Sequence, residues 1–124
     1  MTLTTPALSI AQMAEATGLT THTLRYYERE GLMLVAIDRA SSTHRRYTAA
    51  DIGWVTFLTK LRSTGMPIRD MKRYVELVRT GDTTTRDRLE LLVAHRERVL
   101  AQLDEVTASL AAIDRKITSY EGQC

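Results

Sequence analysis

The sequence predicts a mostly α-helical fold in two parts, a compact front part followed by one long helix, and three observations predict it. Residues that start and end helices recur between residues 9 and 81. The segment 34–47 is instead rich in β-prone residues. From residue 84 onward, apolar residues recur at alternating steps of three and four, with no Gly or Pro before Gly122. A chain of 124 residues can bury one modest core.

The first two predicted helices are joined by a tight turn. Ser9 is expected to cap a short helix that Gly18 ends, because a serine side chain satisfies free backbone amides and glycine adopts the left-handed conformation. Thr20 or Thr21 is expected to cap a second helix, which Gly31 closes. Two short helices joined in this way indicate a helix-turn-helix, whose second helix enters the major groove of DNA.

The second helix contains the stretch "TLRYYEREGL", with two adjacent tyrosines. Neighbours on a helix lie about 100° apart, so both rings cannot face inward. Leu24 is the expected core anchor, and its spacing lets either Tyr27 or Glu28 share its face. Tyrosine hydroxyls can donate to phosphates, and arginine can reach a phosphate or a guanine edge. The candidate DNA-contacting residues of this helix are Thr21, His22, Arg25, Tyr26 and Tyr27.

A two-stranded hairpin is predicted over residues 34–47. Residues 34–37 form the expected first strand, "DRASS" the turn, and "THRRY" a return strand that carries adjacent arginines. The paired arginines can contact phosphates, and the alternative is a solvated charge pair on an exposed hairpin.

A pair of helices is predicted after the hairpin. Thr48 and Asp51 are spaced as a capping box that opens a third helix, which ends at Gly65. Pro67 is expected at the start of a fourth helix, where its missing amide costs nothing, and Gly81 closes that helix.

The last segment predicts a coiled coil. Nine of the ten seam positions are apolar, and the helix from about Thr84 to Glu121 would be about 57 Å long. A front part of about 80 residues cannot cover such a helix along its length, so we expect a homodimer. A helix that folds back on its own domain is the alternative. Arg96 is the polar seam position, which either sets register or marks where the seam leaves the partner helix for the DNA-binding half. The predicted dimer interface comprises Leu89, Leu92, Arg96, Val99, Leu103, Val106, Leu110, Ile113, Ile117 and Tyr120.

Charge and composition restrict the class of protein. Residues 1–80 carry 11 Lys and Arg against 7 Asp and Glu, whereas residues 81–124 carry 6 against 8. The basic front part favours a polyanion partner. We find no apolar run long enough to span a membrane, no signal peptide and no catalytic motif, so a cytoplasmic protein that is not an enzyme is expected. Cys124 is the single cysteine, so no internal disulfide, metal site or cofactor is expected.

The order of these motifs resembles the MerR family of bacterial transcription regulators. The resemblance rests on "SIAQMAEATGLTTHTLRYYEREGL", then "HRRYTAADIGWVTFLTKLRSTGMPI", then the heptad helix, and covers nearly the whole chain. It implies a winged helix-turn-helix DNA-binding domain over residues 1–81 and an antiparallel coiled-coil dimerisation helix over residues 82–124. It also implies binding to double-stranded promoter DNA between the promoter elements. Distortion of an overlong spacer would then let RNA polymerase engage both elements.

The resemblance also implies DNA contacts beyond the second helix. Arg45, Arg46 and Tyr47 would read DNA from the hairpin, which becomes the wing, and Lys60 and Arg69 are weaker phosphate candidates. In layout the chain most resembles the small aldehyde-responsive branch, although the sensing cysteine that some of its members have in the DNA-binding half is absent. Because one cysteine and three scattered histidines offer too few ligands for a transition metal, we expect an unknown non-metal effector or none. A coiled-coil adaptor, or a non-specific nucleic-acid-binding protein without promoter control, is the alternative function.

Overall fold

A computed structural model describes residues 8–34, 38–40 and 44–124, with the backbone alone described for 38–40 and 44–46. Two compact units are present, one ending at Arg88 and the other running from Leu89 to Cys124. The elements, in chain order, are α1 Ile10–Thr17, α2 Thr21–Arg29, β1 Asp38–Ala40, β2 His44–Arg46, α3 Ala49–Ser63, α4 Ile68–Thr80, a 3-10 turn Asp82–Thr84 and α5 Thr85–Glu121. The mostly α fold is thus confirmed.

Local capping fixes where the helices of the first unit begin. The Ser9 side chain accepts from the Gln12 amide while the Gln12 side chain accepts from the Ser9 amide, which forms a capping box. Thr48 and Asp51 form the second, predicted capping box at α3. Thr20 caps α2 by accepting from the Thr23 amide at 3.1 Å. These boundaries confirm the prediction because caps are encoded within four residues.

The hairpin lies within the predicted range 34–47, with β2 in the predicted return strand, but β1 differs from the prediction. Asp38 pairs with Arg46 and Ala40 with His44 in an antiparallel ladder, so β1 occupies residues assigned to the turn. Leu34, predicted in the first strand, lies in a bend, and residues 35–37 and 41–43 lie outside the described residues. The assignment of Asp38–Ala40 to the turn was wrong, because β-propensity marked the residues before Asp38, whereas the ladder is set by cross-strand pairing.

The core of the first unit lies where α1, α2, α3 and α4 meet. Met13, Leu24, Leu58 and Val75 are each at most 1% exposed and come from four different helices. Thr84, in the 3-10 turn, is also buried, and its hydroxyl donates to the carbonyls of Leu77 and Gly81. The start of α5 is therefore joined to the end of α4 by side-chain as well as main-chain bonds.

The second unit is the remainder of α5, whose 37 residues form a continuous helix. Its apolar seam is largely uncovered in the single chain, with Leu103 57% and Val106 64% exposed. Within the described ranges, no helix is both long and apolar enough to cross a membrane.

Candidate nucleic-acid interface

Helix α2 has a buried face and a basic exposed face. Leu24 and Tyr27, three residues apart, are 1% and 3% exposed and belong to the core. His22 and Arg25 are exposed, and Thr21 and Tyr26 are half-buried. Of the two adjacent tyrosines, Tyr27 faces inward, whereas Tyr26 lies at the edge of the exposed face. The centroids of the two rings are 6.3 Å apart.

The turn between α1 and α2 sets how α2 is presented. Gly18 adopts a left-handed conformation with φ of 73°, and its amide donates to the Ala14 carbonyl at 2.9 Å. A residue with a side chain is strained at that φ, which is why glycine suits the end of α1. Thr20 then caps α2 two residues later, and the first turn of α2 is left open to solvent at His22.

Tyr47 joins the hairpin to the core. Its main chain exchanges two hydrogen bonds of 2.8 Å with Leu8, its side chain is fully buried, and its hydroxyl donates to Glu28 Oε2 at 2.7 Å. Tyr47 and Tyr27 were also predicted to contact DNA; both side chains are buried in the single chain, and DNA contact by either residue stays a prediction.

The two hairpin arginines lie on adjacent positions of β2. Arg46 is paired with Asp38 and Arg45 with Arg39 across the ladder. Any DNA contact by these two residues stays a prediction.

The remaining candidates lie on the helix pair. Lys60 and Arg69 are both exposed. The Arg69 side chain is 88% exposed, and its Nε lies 3.9 Å from Asp70 Oδ1. Lys72, which sequence reasoning did not select, is held by Glu30 at the end of α2 with an Nζ–Oε2 distance of 2.7 Å. The hydrogen bond to Glu30, together with its negative charge, raises the pKa of Lys72 above 10.5. Lys72 therefore stays charged at neutral pH.

Two further residues that matter for this surface were not singled out as site residues. The indole Nε1 of Trp54 and the guanidinium of Arg79 donate to carbonyls of the segment between α2 and β1. These contacts join residues 22 to 48 positions apart, and no local sequence pattern signals them. Among the residues described, no group of three or more His, Cys, Asp or Glu side chains is arranged to hold a metal ion.

Comparison with known proteins agrees with this architecture. The family described as "MerR HTH family regulatory protein" matches residues 8–77, and "MerR, DNA binding" matches residues 52–117. An HTH-type transcriptional regulator of Haemophilus influenzae is 36% identical over 90% of this chain and 82% of its own length. The HTH-type transcriptional regulator AdhR of Bacillus subtilis is 39% identical over 75% of this chain and 66% of its own.

Solved structures extend the similarity to three dimensions. One similar structure is the crystal structure of HiNmlR, a MerR family regulator lacking the sensor domain, bound to promoter DNA. Its sequence is 34% identical, and the TM-score is 0.83 over 94% of this chain and 91% of that chain. A putative MerR family regulator from Listeria monocytogenes gives a TM-score of 0.84 at 34% identity, over 92% and 86% of the two chains. The basic face of α2, the long terminal helix and these relatives together show that the chain belongs to the MerR family of transcription regulators and is not an enzyme.

Proposed function

We propose that this chain is a sequence-specific regulator that binds promoter DNA as a homodimer and places α2 in the major groove. The observation that carries the proposal is the division of α2, which buries Leu24 and Tyr27 and turns His22 and Arg25 to solvent. A helix anchored on one face and cationic on the other fits groove binding. HiNmlR was crystallised bound to promoter DNA, and the similarity of this chain to it supports the same use here.

Roles within the interface follow from side-chain chemistry. Base reading is assigned to Arg25, whose guanidinium can bind a guanine edge with two hydrogen bonds. His22 and Thr21 lie at the start of α2, the part of a recognition helix that approaches base edges. Positioning on the phosphates is assigned to residues that carry a cation or a hydroxyl, because phosphate contacts set register. These residues are Tyr26, Arg45, Arg46, Lys60 and Arg69.

The dimer assignment rests on α5. Seven of the ten seam residues predicted for the interface are large apolar side chains at least half exposed in the single chain. Exposed apolar stripes of this length are unusual on monomers. A second copy of α5, running antiparallel, would cover them and place two copies of α2 on the two half-sites of an inverted repeat.

Control of transcription would come from the shape of the DNA. A dimer seated on the spacer between promoter elements can change the spacer's twist or bend, and RNA polymerase would respond to the altered spacing. An effector would shift the balance between two dimer arrangements only as far as it binds one of them better. We assign a small non-metal effector, because the thiolate ligands that soft metals prefer are limited to Cys124.

Footprinting on the promoter of the protein's own gene, with the Arg25→Ala variant, tests the DNA assignment. We expect protection with inverted-repeat symmetry, and loss of roughly 1–3 kcal/mol of discrimination at one base pair in each half-site for Arg25→Ala. Arg115→Ala is the matched control, since it removes the same charge from an exposed position of α5. Protection without sequence preference would instead favour a non-specific binder, and absence of DNA binding would favour a coiled-coil adaptor.

Transcription from the same promoter tests the effector assignment. Reactions with and without added metals, aldehydes and oxidants should show a response to a non-metal compound or to none. Tight stoichiometric metal binding with matching induction would contradict the non-metal assignment.

A further inference from the structure

The segment Gly31–Leu34, which we call the linker, lies between α2 and β1 and is held through its main chain. Each of its four carbonyl oxygens accepts a hydrogen bond from a side chain of α3 or α4. Trp54 Nε1 donates to the Leu32 carbonyl at 2.8 Å. Arg79 donates from Nε to the Leu34 carbonyl at 3.1 Å, and from Nη2 to the carbonyls of Gly31, at 3.2 Å, and Met33. We refer to Trp54 and Arg79, with these four bonds, as the linker latch.

The chemistry of the two donors suits this contact. A guanidinium presents its N–H groups in a rigid planar fork, so one arginine can satisfy several acceptors at fixed angles, which a lysine ammonium cannot do. The Trp54 indole is held in orientation by stacking on Tyr74, with ring centroids 5.9 Å apart and planes at 10°.

The latch occupies the one direct covalent path from α2 to β1. Leu34 lies four residues before Asp38, the first residue of β1. Four residues can span at most about 14 Å, so fixing the linker restricts where β1 starts. Arg79 and Trp54 come from α4 and α3, the same helix pair that buries Leu58 and Val75 in the core. The position of the linker is thereby fixed by helices of the core and not by the hairpin.

We propose that the linker latch positions the β1–β2 hairpin relative to α2, and that Arg79 strengthens DNA binding through this placement without contacting DNA. The inference rests on the proposed function, in which α2 and the hairpin both contact one operator. Phosphate contacts contribute to affinity only if the elements that carry them are in register with the recognition helix. Loss of the latch would therefore remove the hairpin contacts while leaving those of α2.

The first experiment measures the latch without DNA. Hydrogen exchange followed by mass spectrometry on the full-length protein compares the wild type with Arg79→Lys, Arg79→Ala and Trp54→Phe. We expect faster exchange of the β1 and β2 amides in all three variants, with α1 and α3 unchanged. Trp54→Phe keeps an aromatic ring against Tyr74 and removes one donor, so it stays informative if the Arg79 variants fold poorly. Exchange in β1 and β2 equal to wild type in all variants would overturn the proposal.

The second experiment measures binding to the footprinted operator across a salt titration. We expect Arg79→Lys and Arg79→Ala to weaken binding alike, by roughly tenfold to a hundredfold, and to lower the salt slope by about two as the hairpin arginines disengage. Arg73→Ala, an exposed arginine of α4 without a described partner, should change affinity by less than about threefold. Arg79 would be a phosphate contact, and the proposal wrong, if Arg79→Lys bound like wild type while Arg79→Ala lost about one unit of slope.

The two failures are distinguishable. A wild-type protein that bound no operator would refute the proposed function, and the exchange experiment would still decide whether the latch holds the hairpin. Wild-type binding together with normal binding by both Arg79 variants would refute the latch alone.

Discussion

The unit that ends at Arg88 and the unit that starts at Leu89 differ in how far their apolar side chains are exposed to solvent. In the first, Met13, Leu58 and Met71 are fully buried by neighbouring helices of the same chain. In the second, Leu103 and Leu110 are more than half exposed. Both units are mostly helical, so helix formation does not distinguish them. The first unit can therefore be stabilised within one chain, whereas the second leaves apolar surface exposed that the proposed dimer would cover.

The largest expected effect is on assembly. Leu103→Glu should convert the protein to monomers at micromolar concentration, because each dimer would bury two introduced carboxylates. Even Leu103→Ala is expected to cost about 2 kcal/mol or more per copy. Ala101→Glu is the matched control, since it adds the same charge about 200° around the helix from Leu103. Sedimentation measures both, and an unchanged dimer for Leu103→Glu would remove α5 as the dimer contact.

The next effect separates the two units by stability. Leu58→Ala should lower the free energy of unfolding by about 2–5 kcal/mol, because it leaves a cavity in a fully buried site. In the monomeric Leu103→Glu background, Leu110→Ala should change it by less than about 0.5 kcal/mol, since that side chain is already solvated. Urea unfolding checks the pair. Equal costs for the two variants would mean that α5 is covered within its own chain.

The third prediction separates two adjacent roles of tyrosine within the first unit. Tyr47→Phe should lower the free energy of unfolding by about 1–2 kcal/mol, because the half-buried Glu28 carboxylate loses a donor. Tyr26→Phe should leave stability nearly unchanged and weaken DNA binding, because its hydroxyl has no described hydrogen-bond partner and lies on the proposed groove face. Thermal unfolding and operator titration of both variants check this; the reverse pattern would exchange their roles.

The smallest expected effect concerns the surface pair of Lys72 and Glu30. The pKa of Lys72 is raised by its hydrogen bond to Glu30 and by that carboxylate's charge. Its contribution to stability is therefore fully present below pH 10.5 and is lost as the pH rises through the folded pKa. The difference in unfolding free energy between wild type and Lys72→Met should be flat near neutral pH and shrink above pH 10.5. A difference that grows in alkaline solution would contradict this assignment.

The parts predicted correctly from sequence are those encoded locally. The capping residues Ser9, Thr20 and Thr48 act on amides within three positions, so their helix starts could be read directly. The choice between Tyr27 and Glu28 as the core partner of Leu24 could not, because both spacings fit one helix face. Burial resolves that choice for Tyr27.

Long-range contacts escaped prediction for a different reason. Arg79 contacts carbonyls 45 to 48 residues earlier, and a carbonyl carries no residue identity that a pattern could contain. The family resemblance grouped Tyr47 with the two arginines before it, although its own side chain packs inward. The hairpin register shows the same limit, since it depends on pairing across the ladder.

Tyr47 anchors the strand that carries the two hairpin arginines. Its ring is fully buried, and its main chain exchanges two hydrogen bonds with Leu8. The Cα of Arg46 is thus one peptide unit, about 3.8 Å, from an atom that folding has already immobilised. Restricting the backbone of a residue costs about 1–2 kcal/mol of conformational entropy, and for Arg46 that restriction comes with folding, not with association. If Arg46 binds DNA as proposed, mainly its side chain loses conformational freedom on binding. The entropic loss is then smaller than for an arginine in a free loop.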